Sequence, residues 1–128
     1  MKILIVDDSP ILQDRLSTMI REETNFQIIG HALNIVLGKE LVDTLNPDVV
    51  ISDIRVPGGG GFELLKYIKD NHKKVRTIMI TNYPYPQYKE KAEEMGAEHF
   101  LSKSDDIEQL IPILKTSHNH VKMNKEII

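Results

Sequence analysis

Short apolar runs alternate along this chain with longer segments of helical periodicity. The runs are rich in β-branched residues, which is typical of strands buried on both faces. The segments between them repeat apolar residues at the spacing of one helix face. Strands that alternate with helices pair in parallel through right-handed crossovers. The pattern therefore predicts an α/β fold, a doubly wound five-stranded parallel sheet with helices on both faces.

Five strands and five helices are predicted from this pattern. The strands cover residues 3–6, 26–31, 49–53, 75–80 and 99–102. Ser9 and Pro10 mark the start of the first helix, and the pair Asn46-Pro47 ends the second. The last helix is predicted over residues 105–117. Pro112 within it predicts a kink or a restart, because proline removes a backbone donor.

The composition describes one globular domain. At 128 residues, with 41% hydrophobic and 27% charged residues, the chain is long enough for one core. We predict a domain over residues 1–117 and a C-terminal tail over residues 118–128. The lack of cysteine and of a long apolar leader favours the cytoplasm and no membrane partner. A net charge of -3 gives no reason for direct nucleic-acid binding.

Polar side chains follow four of the predicted strands. Asp53 ends the apolar run within DVVISDIRVPGGGG, and Asp7, Asp8, Thr81 and Lys103 follow three other runs in the same way. A parallel sheet gathers the carboxyl ends of its strands on one edge, where ligands bind in open α/β sheets. These five side chains are therefore expected to form one polar pocket.

The chemistry of this pocket points to phosphoryl transfer. Three carboxylates would raise one another's pKa unless a cation were present, and oxygen ligands without histidine or cysteine favour Mg²⁺. One carboxylate then stays free as a nucleophile toward phosphorus. Metal, ammonium and hydroxyl groups offset charge on the transferring oxygens. Asp53, Lys103 and Thr81 fit the roles of nucleophile, ammonium and hydroxyl, which makes them the predicted catalytic residues.

The sequence resembles the receiver domains of two-component response regulators. ILIVDDSP, DVVISDIRVPGGGG, IMITN and FLSK follow one another in that family's order and approximate spacing, over residues 2–117. The resemblance implies the flavodoxin-like receiver fold and a phosphorylation switch with Asp53 as the phosphorylated residue. It also implies magnesium ligands, namely Asp7, Asp8, Asp53 and the carbonyl of Arg55, and Asp8 is the more direct ligand of the acidic pair. The switch residues that it implies are Thr81 and Phe100.

The resemblance also implies partners. A sensor histidine kinase or a phosphotransfer protein would donate the phosphoryl group. The face formed by the fourth helix, the fifth strand and the fifth helix would then change toward a downstream protein that the sequence does not name. The segment TNYPYPQY is most similar to receivers that stand alone without an output domain. Its tyrosines fit either packing on the fourth helix or a partner surface.

Two positions depart from the family's pattern. Ser104 stands where many receivers have a proline in a cis peptide, so either trans geometry or local strain is predicted there. Asn82 stands where the family often has a small residue. A side chain of this size would narrow the opening of the pocket and slow the loss of a phosphoryl group.

Alternative interpretations stay open at this point. A magnesium-dependent phosphatase of the haloacid-dehalogenase type also uses an aspartate nucleophile, but with an Asp-x-Asp motif on the first strand rather than the adjacent Asp7 and Asp8. A degenerate receiver would act as a docking module that needs no phosphorylation. The glycine run at 58–61 lacks the lysine of a P-loop and is interpreted as a flexible loop beside the pocket. Phe100 fits a core position as well as a switch.

Overall fold

Five parallel strands form the centre of the computed structural model, which describes residues 1–127 and the side chains of residues 1–119. The strands are β1 (Lys2–Val6), β2 (Gln27–Ala32), β3 (Val49–Asp53), β4 (Arg76–Thr81) and β5 (His99–Ser102). The helices are α1 (Pro10–Glu23), α2 (Ile35–Leu45), α3 (Gly61–Asn71), α4 (Pro86–Glu94) and α5 (Leu110–Ile127), the last preceded by a 3₁₀ turn, Ile107–Gln109. The strand order β2-β1-β3-β4-β5 confirms the predicted doubly wound sheet.

Alternate side chains of the central strands enter cores on opposite faces of the sheet. On one face, Ile5 and Ile51 pack with α1 and α5. On the other face, Leu4 and Val50 pack with α2 and α3. Because both faces are covered, polar side chains of these strands are confined to the strand ends. None of the helices in residues 1–127 is long and apolar enough to cross a membrane.

Local signals fix the start of the first helix and the end of the second, as predicted. The Ser9 hydroxyl accepts a hydrogen bond from the Leu12 N–H at 3.3 Å, so Ser9 caps α1, and Pro10 occupies its first turn. Asn46 has a φ of 49°, a left-handed conformation that ends α2 before Pro47. These caps place the loops that follow β1 and precede β3.

The last helix differs from its prediction at both ends. It begins at Leu110 rather than at 105, so Pro112 lies in its first turn, where a missing N–H breaks no intrahelical bond. This is the restart that Pro112 predicted. The helix continues past Ser117 to Ile127 and crosses the predicted boundary between domain and tail. That division stays a prediction, and residue 128 lies outside the described residues.

The glycine run has steric roles that its interpretation as a flexible loop did not anticipate. Gly58, Gly59 and Gly60 have φ values of 92°, 138° and 82°, which favour glycine. Gly61 begins α3 against β3, and its N–H donates to the Ile54 carbonyl at 2.7 Å. A Cβ at Gly61 would overlap the carbonyl oxygen of residue 53 and lie 2.9 Å from the Ile54 Cα. The run therefore forms a tight turn behind the site.

Gly61→Ala is expected to destabilise the fold by about 1–3 kcal/mol, because the added Cβ would overlap backbone atoms that cannot rotate away. Gly38→Ala is the matched control. Gly38 lies inside α2, where a Cβ would sit 3.4 Å from Val6 Cγ1, and alanine is favoured over glycine in helices by about 0.5–1 kcal/mol. Urea unfolding compares the two variants. A Gly61→Ala midpoint equal to that of the wild type would contradict the close packing of α3 on β3.

Candidate functional site

The predicted polar side chains meet at the carboxyl edge of the sheet. Asp53 and Thr81 end β3 and β4, and Asp7 and Lys103 directly follow β1 and β5. Asp7 and Thr81 are fully buried, whereas Asp53 and Lys103 retain 6% and 8% exposure. Asp8 is exposed. The sheet therefore brings together residues from four separate parts of the chain.

Lys103 links two of the carboxylates. Its Nζ donates to Asp7 Oδ2 and to Asp53 Oδ2, each at 2.8 Å. The Lys103 N–H donates to the Thr81 carbonyl at 2.8 Å, which holds the start of the loop after β5 beside β4. Asp7 Oδ1 accepts from the Ser9 N–H at 2.7 Å, so both oxygens of this carboxylate are engaged.

One ammonium serves two buried carboxylates, which leaves excess negative charge in the site. Burial raises the pKa of Asp53, and the hydrogen bond and charge of Lys103 only partly offset that shift. Burial acts to lower the pKa of Lys103, but its hydrogen bonds to Asp53 and Asp7 outweigh this effect and raise it. Lys103 is therefore charged, and a further cation would relieve the remaining repulsion.

The three carboxylates are arranged so that they fit a hard cation. Asp7, Asp8 and Asp53 each offer an oxygen, and these oxygens all lie within 4.8 Å of one another. An oxygen-only donor set suits Mg²⁺. The Arg55 N–H donates to Asp53 Oδ1 at 3.2 Å, so Arg55 borders the same site. The role of the Arg55 carbonyl as a ligand stays a prediction.

The side chain of Arg55 makes contacts that the sequence did not indicate. Its guanidinium carbon lies 4.0 Å from the centroid of the Tyr83 ring, and it donates to the Tyr88 hydroxyl at 3.3 Å. The Tyr85 ring lies 5.4 Å from that of Tyr88, centroid to centroid. We call Arg55, Tyr83, Tyr85 and Tyr88 the Arg–Tyr cluster. It joins the loop after β3 to the start of α4.

Thr81 and Phe100 differ in their surroundings. The Thr81 hydroxyl oxygen accepts from the Tyr83 N–H at 2.9 Å, which ties it to the segment that begins the Arg–Tyr cluster. Phe100 is partly buried and packs against a small core beside α4, formed by Ile54, Leu65, Met79 and Ala92. Phe100 thus has core contacts and some exposure, and its role as a switch stays a prediction.

The two departures from the family's pattern lie side by side. The peptide between Lys103 and Ser104 is trans, as are the other peptides in the described part of the chain. Further along the same loop, Asp106 Oδ2 accepts from the Ser102 N–H at 2.9 Å and closes the loop after β5. Asn82 and Ser104 line a cleft of about 310 Å³ beside Lys103. The narrowing of the pocket by Asn82 stays a prediction.

A doubly wound sheet with aspartates and a lysine at its carboxyl edge defines a receiver-like α/β domain. The chain matches the family model of the response regulator receiver domain over residues 3–115 and therefore belongs to this family. Members act as phosphorylation-dependent switches in two-component signalling. This membership does not favour the haloacid-dehalogenase alternative.

Individual relatives are similar along most of this chain. It is 33% identical over 109 residues to the transcriptional regulatory protein YdfI of Bacillus subtilis, covering 85% of this chain and 51% of the relative. A LuxR-family DNA-binding response regulator of Staphylococcus aureus has a TM-score of 0.85 at 28% identity, covering 91% and 97% of the two chains. The N-terminal domain of an uncharacterized protein of Wolinella succinogenes has a TM-score of 0.82 at 34% identity, with 98% of each chain covered. The chain spans about half the length of the curated relatives it matches.

Lys103→Met should destabilise the protein by about 3–5 kcal/mol at neutral pH, because it leaves two buried carboxylates without their cation. Burial raises the pKa of Asp53 in the folded state, and loss of the Lys103 hydrogen bond and charge, which act to lower that pKa, would raise it further in the variant. The folded variant would therefore bind the Asp53 proton more readily than the folded wild type does. The deficit should therefore shrink as the pH falls toward about 5. Urea unfolding of the variant and the wild type at both pH values measures this difference in stability.

Lys66→Met is the control for this experiment. It removes an exposed lysine of α3 that pairs with Asp70 at 3.0 Å, and a surface pair of this kind contributes little at either pH. A Lys103→Met deficit that stays the same across the pH range would contradict the pairing of Lys103 with Asp53.

Proposed function

We propose that this chain is a signalling switch that accepts a phosphoryl group on Asp53 with Mg²⁺ bound. A sensor histidine kinase or a phosphotransfer protein is the proposed donor. Membership of the receiver family supports the class of function. The observation that carries the assignment is the pair of 2.8 Å contacts from Lys103 Nζ to Asp7 and Asp53.

Asp53 fits the role of nucleophile better than its neighbours. Asp7 is fully buried, and Asp8 is the exposed member of the group. Asp53 combines partial access with a lysine at hydrogen-bonding distance. Phosphoryl transfer depends on such positioning and charge more than on covalent chemistry by the protein.

In the proposed transfer, an oxygen of the Asp53 carboxylate attacks phosphorus, and the phosphorus–nitrogen bond of the donor's phosphohistidine breaks as the imidazole leaves. Asp7, Asp8, Asp53 and the Arg55 carbonyl would hold Mg²⁺, which would supply positive charge against the transferring oxygens. Lys103 and Thr81 are proposed to contact the same oxygens. The Thr81 hydroxyl accepts from the Tyr83 N–H, which leaves its own proton free to donate.

The same residues would assist loss of the phosphoryl group to water. The chain thus takes part in its own phosphorylation and dephosphorylation without being an enzyme that turns over a separate substrate. The side of the site at Asn82 is the proposed route of access, because Asn82 is exposed and lines the cleft beside Lys103.

The signal is proposed to travel toward α4, β5 and α5. A phosphoryl group adds negative charge at Asp53, and Thr81 moves toward it while Phe100 turns inward. Since Thr81 holds the Tyr83 N–H, its movement would act directly on the Arg–Tyr cluster. The surface that changes would then meet a downstream protein.

We propose that this domain works in the cytoplasm and signals through protein contacts. The absence of cysteine suits a reducing compartment. The names of the relatives describe transcriptional and DNA-binding regulators. For this chain we do not propose direct DNA binding, because its net charge of -3 offers no attraction to phosphates.

Asp53→Asn should abolish labelling by acetyl phosphate, because an amide is not a nucleophile toward phosphorus. Intact-mass measurement of the wild type should show one added phosphoryl group, and only when Mg²⁺ is present. Asp70→Asn, on the exposed surface of α3, is the matched control and should be labelled like the wild type. Full labelling of Asp53→Asn would overturn the assignment.

The same preparation separates the alternative functions. Continuous turnover of p-nitrophenyl phosphate at enzyme-like rates would favour a phosphatase, whereas a single stoichiometric label would not. No labelling of the wild type, together with no spectroscopic change on addition of Mg²⁺, would favour a docking module that needs no phosphorylation.

Phosphorylation should change the tyrosine fluorescence, because three of the four tyrosines belong to the Arg–Tyr cluster and the chain has no tryptophan. Tyr67→Phe removes the fourth tyrosine, whose hydroxyl donates to Asp43 on α2 instead. In this background, Arg55→Met should greatly reduce the change in emission on phosphorylation, since the guanidinium no longer links the loop after β3 to the rings. Lys69→Met, which removes a positive charge from α3 outside the Arg–Tyr cluster, is the control. Equal emission changes with and without Arg55 would refute the link.

A further inference from the structure

A buried carboxamide ties the main chain of Asp7 to its neighbours. Gln13 lies on α1 and is 5% exposed, and its Nε2 donates to the Asp7 carbonyl at 2.7 Å and to the Ala32 carbonyl at 3.1 Å. The Asp7 N–H also donates to the Ala32 carbonyl, at 2.9 Å. A single side chain therefore holds together the points at which the chain leaves β1 and β2.

The other contacts of Gln13 fix which way its carboxamide faces. Because the NH₂ group serves two carbonyls, Oε1 is left to accept from His31 Nδ1 at 2.5 Å. His31 Nε2 then accepts from the Ser17 hydroxyl at 3.3 Å. Burial lowers the pKa of His31, assisted by Arg21 and opposed by Asp14, which suits a neutral ring. A flipped carboxamide would place its own oxygen against two carbonyl oxygens. The donors and acceptors in this series of hydrogen bonds are therefore fixed.

We propose that Gln13 is a positioning residue that sets Asp7 for Mg²⁺ and for Lys103. The proposal rests on the function proposed above. Gln13 acts through the main chain of Asp7, whose carboxylate oxygens are held by the Ser9 N–H and by Lys103 Nζ. Without the carboxamide, two buried carbonyls lose a donor and the exit of β1 is free to shift. The side chain of Asp7 would then no longer be held where it contacts Lys103 and could offer an oxygen to Mg²⁺.

Gln13→Met is the test, because methionine is also unbranched and favours helices but has no N–H groups to donate. Calorimetric titration with MgCl₂ should show a dissociation constant raised about tenfold, the scale seen when a partner that orients a metal ligand is lost. The Mg²⁺ concentration for half-maximal labelling by acetyl phosphate should rise similarly. The labelling rate at saturating Mg²⁺ should fall less, since Asp53 and Lys103 are unchanged. Gln13→Leu is a second variant with the same expected result.

Two controls separate positioning from stability. Ile20→Ala removes part of a fully buried side chain at the far end of α1, so it destabilises the same helix without touching Asp7 and should leave magnesium affinity unchanged. Ser17→Ala removes only the hydrogen bond from the Ser17 hydroxyl to His31 Nε2, which lies farthest from Asp7 in this series. It should alter the ring resonances of His31 in NMR spectra while keeping most of the magnesium affinity.

Wild-type magnesium affinity in both Gln13 variants, with a loss of stability similar to that of Ile20→Ala, would show a structural role only and overturn the proposal. The titration with MgCl₂ does not depend on phosphorylation. If the wild type binds Mg²⁺ but takes no label, the proposed function fails, and the calorimetric comparison still decides the role of Gln13.

Discussion

The arrangement of the site depends on one buried ammonium shared by two carboxylates. Lys103 reaches Asp7 and Asp53, which lie 96 and 50 positions away in the sequence. Since β4 lies between β3 and β5, the contact requires β1, β3, β4 and β5 to be in register. Buried ion pairs lose much of their Coulomb gain to desolvation, so they are weak devices for stability. A cluster with one cation and two buried anions is therefore better explained by the chemistry that the extra negative charge prepares.

The backbone behind Asp53 is held as closely as its side chain. Gly61 lets α3 begin directly against the carbonyl of Asp53, because no Cβ stands between them. The Pro57 carbonyl in the same loop accepts from the Ile35 N–H at 2.9 Å, which attaches the loop to the start of α2. The glycines thus bring two helices close to the residue that is proposed to react. A more bulky loop would place both helices farther from the edge of the sheet.

Features that rest on local signals or on topology could be predicted from the sequence. The cap at Ser9 and the stop at Asn46 are local, and the meeting of Asp7, Asp53 and Lys103 follows from the carboxyl ends of parallel strands. The start of the last helix could not be predicted, because side-chain bonds of the loop after β5 compete with the helix for backbone groups. The helical spacing of apolar residues carries no information about those hydrogen bonds.

Contacts between side chains of elements far apart in the sequence could not be predicted either. Arg55 and Tyr83 stand on different loops, and only the folded chain places a guanidinium over that ring. Gln13 carried one possible signal, a polar residue on the buried stripe of α1, which indicates a buried partner without naming it. The partners proved to be two main-chain carbonyls and His31, none of which a pattern of residue types identifies.

The contacts on the two sides of Asp53 differ in their access to water. Toward Asp7, which both Lys103 and Gln13 contact, the hydrogen bonds are enclosed, so one that breaks leaves a buried group unpaired. On the α4 side, Arg55 is exposed and Tyr83 and Tyr85 are 41% and 45% exposed, so water can replace a contact that breaks. In the proposed switch, charge added at Asp53 would therefore meet more resistance toward Asp7 than toward α4. Under that proposal, the buried side would be the fixed support and the Arg–Tyr cluster the part that rearranges.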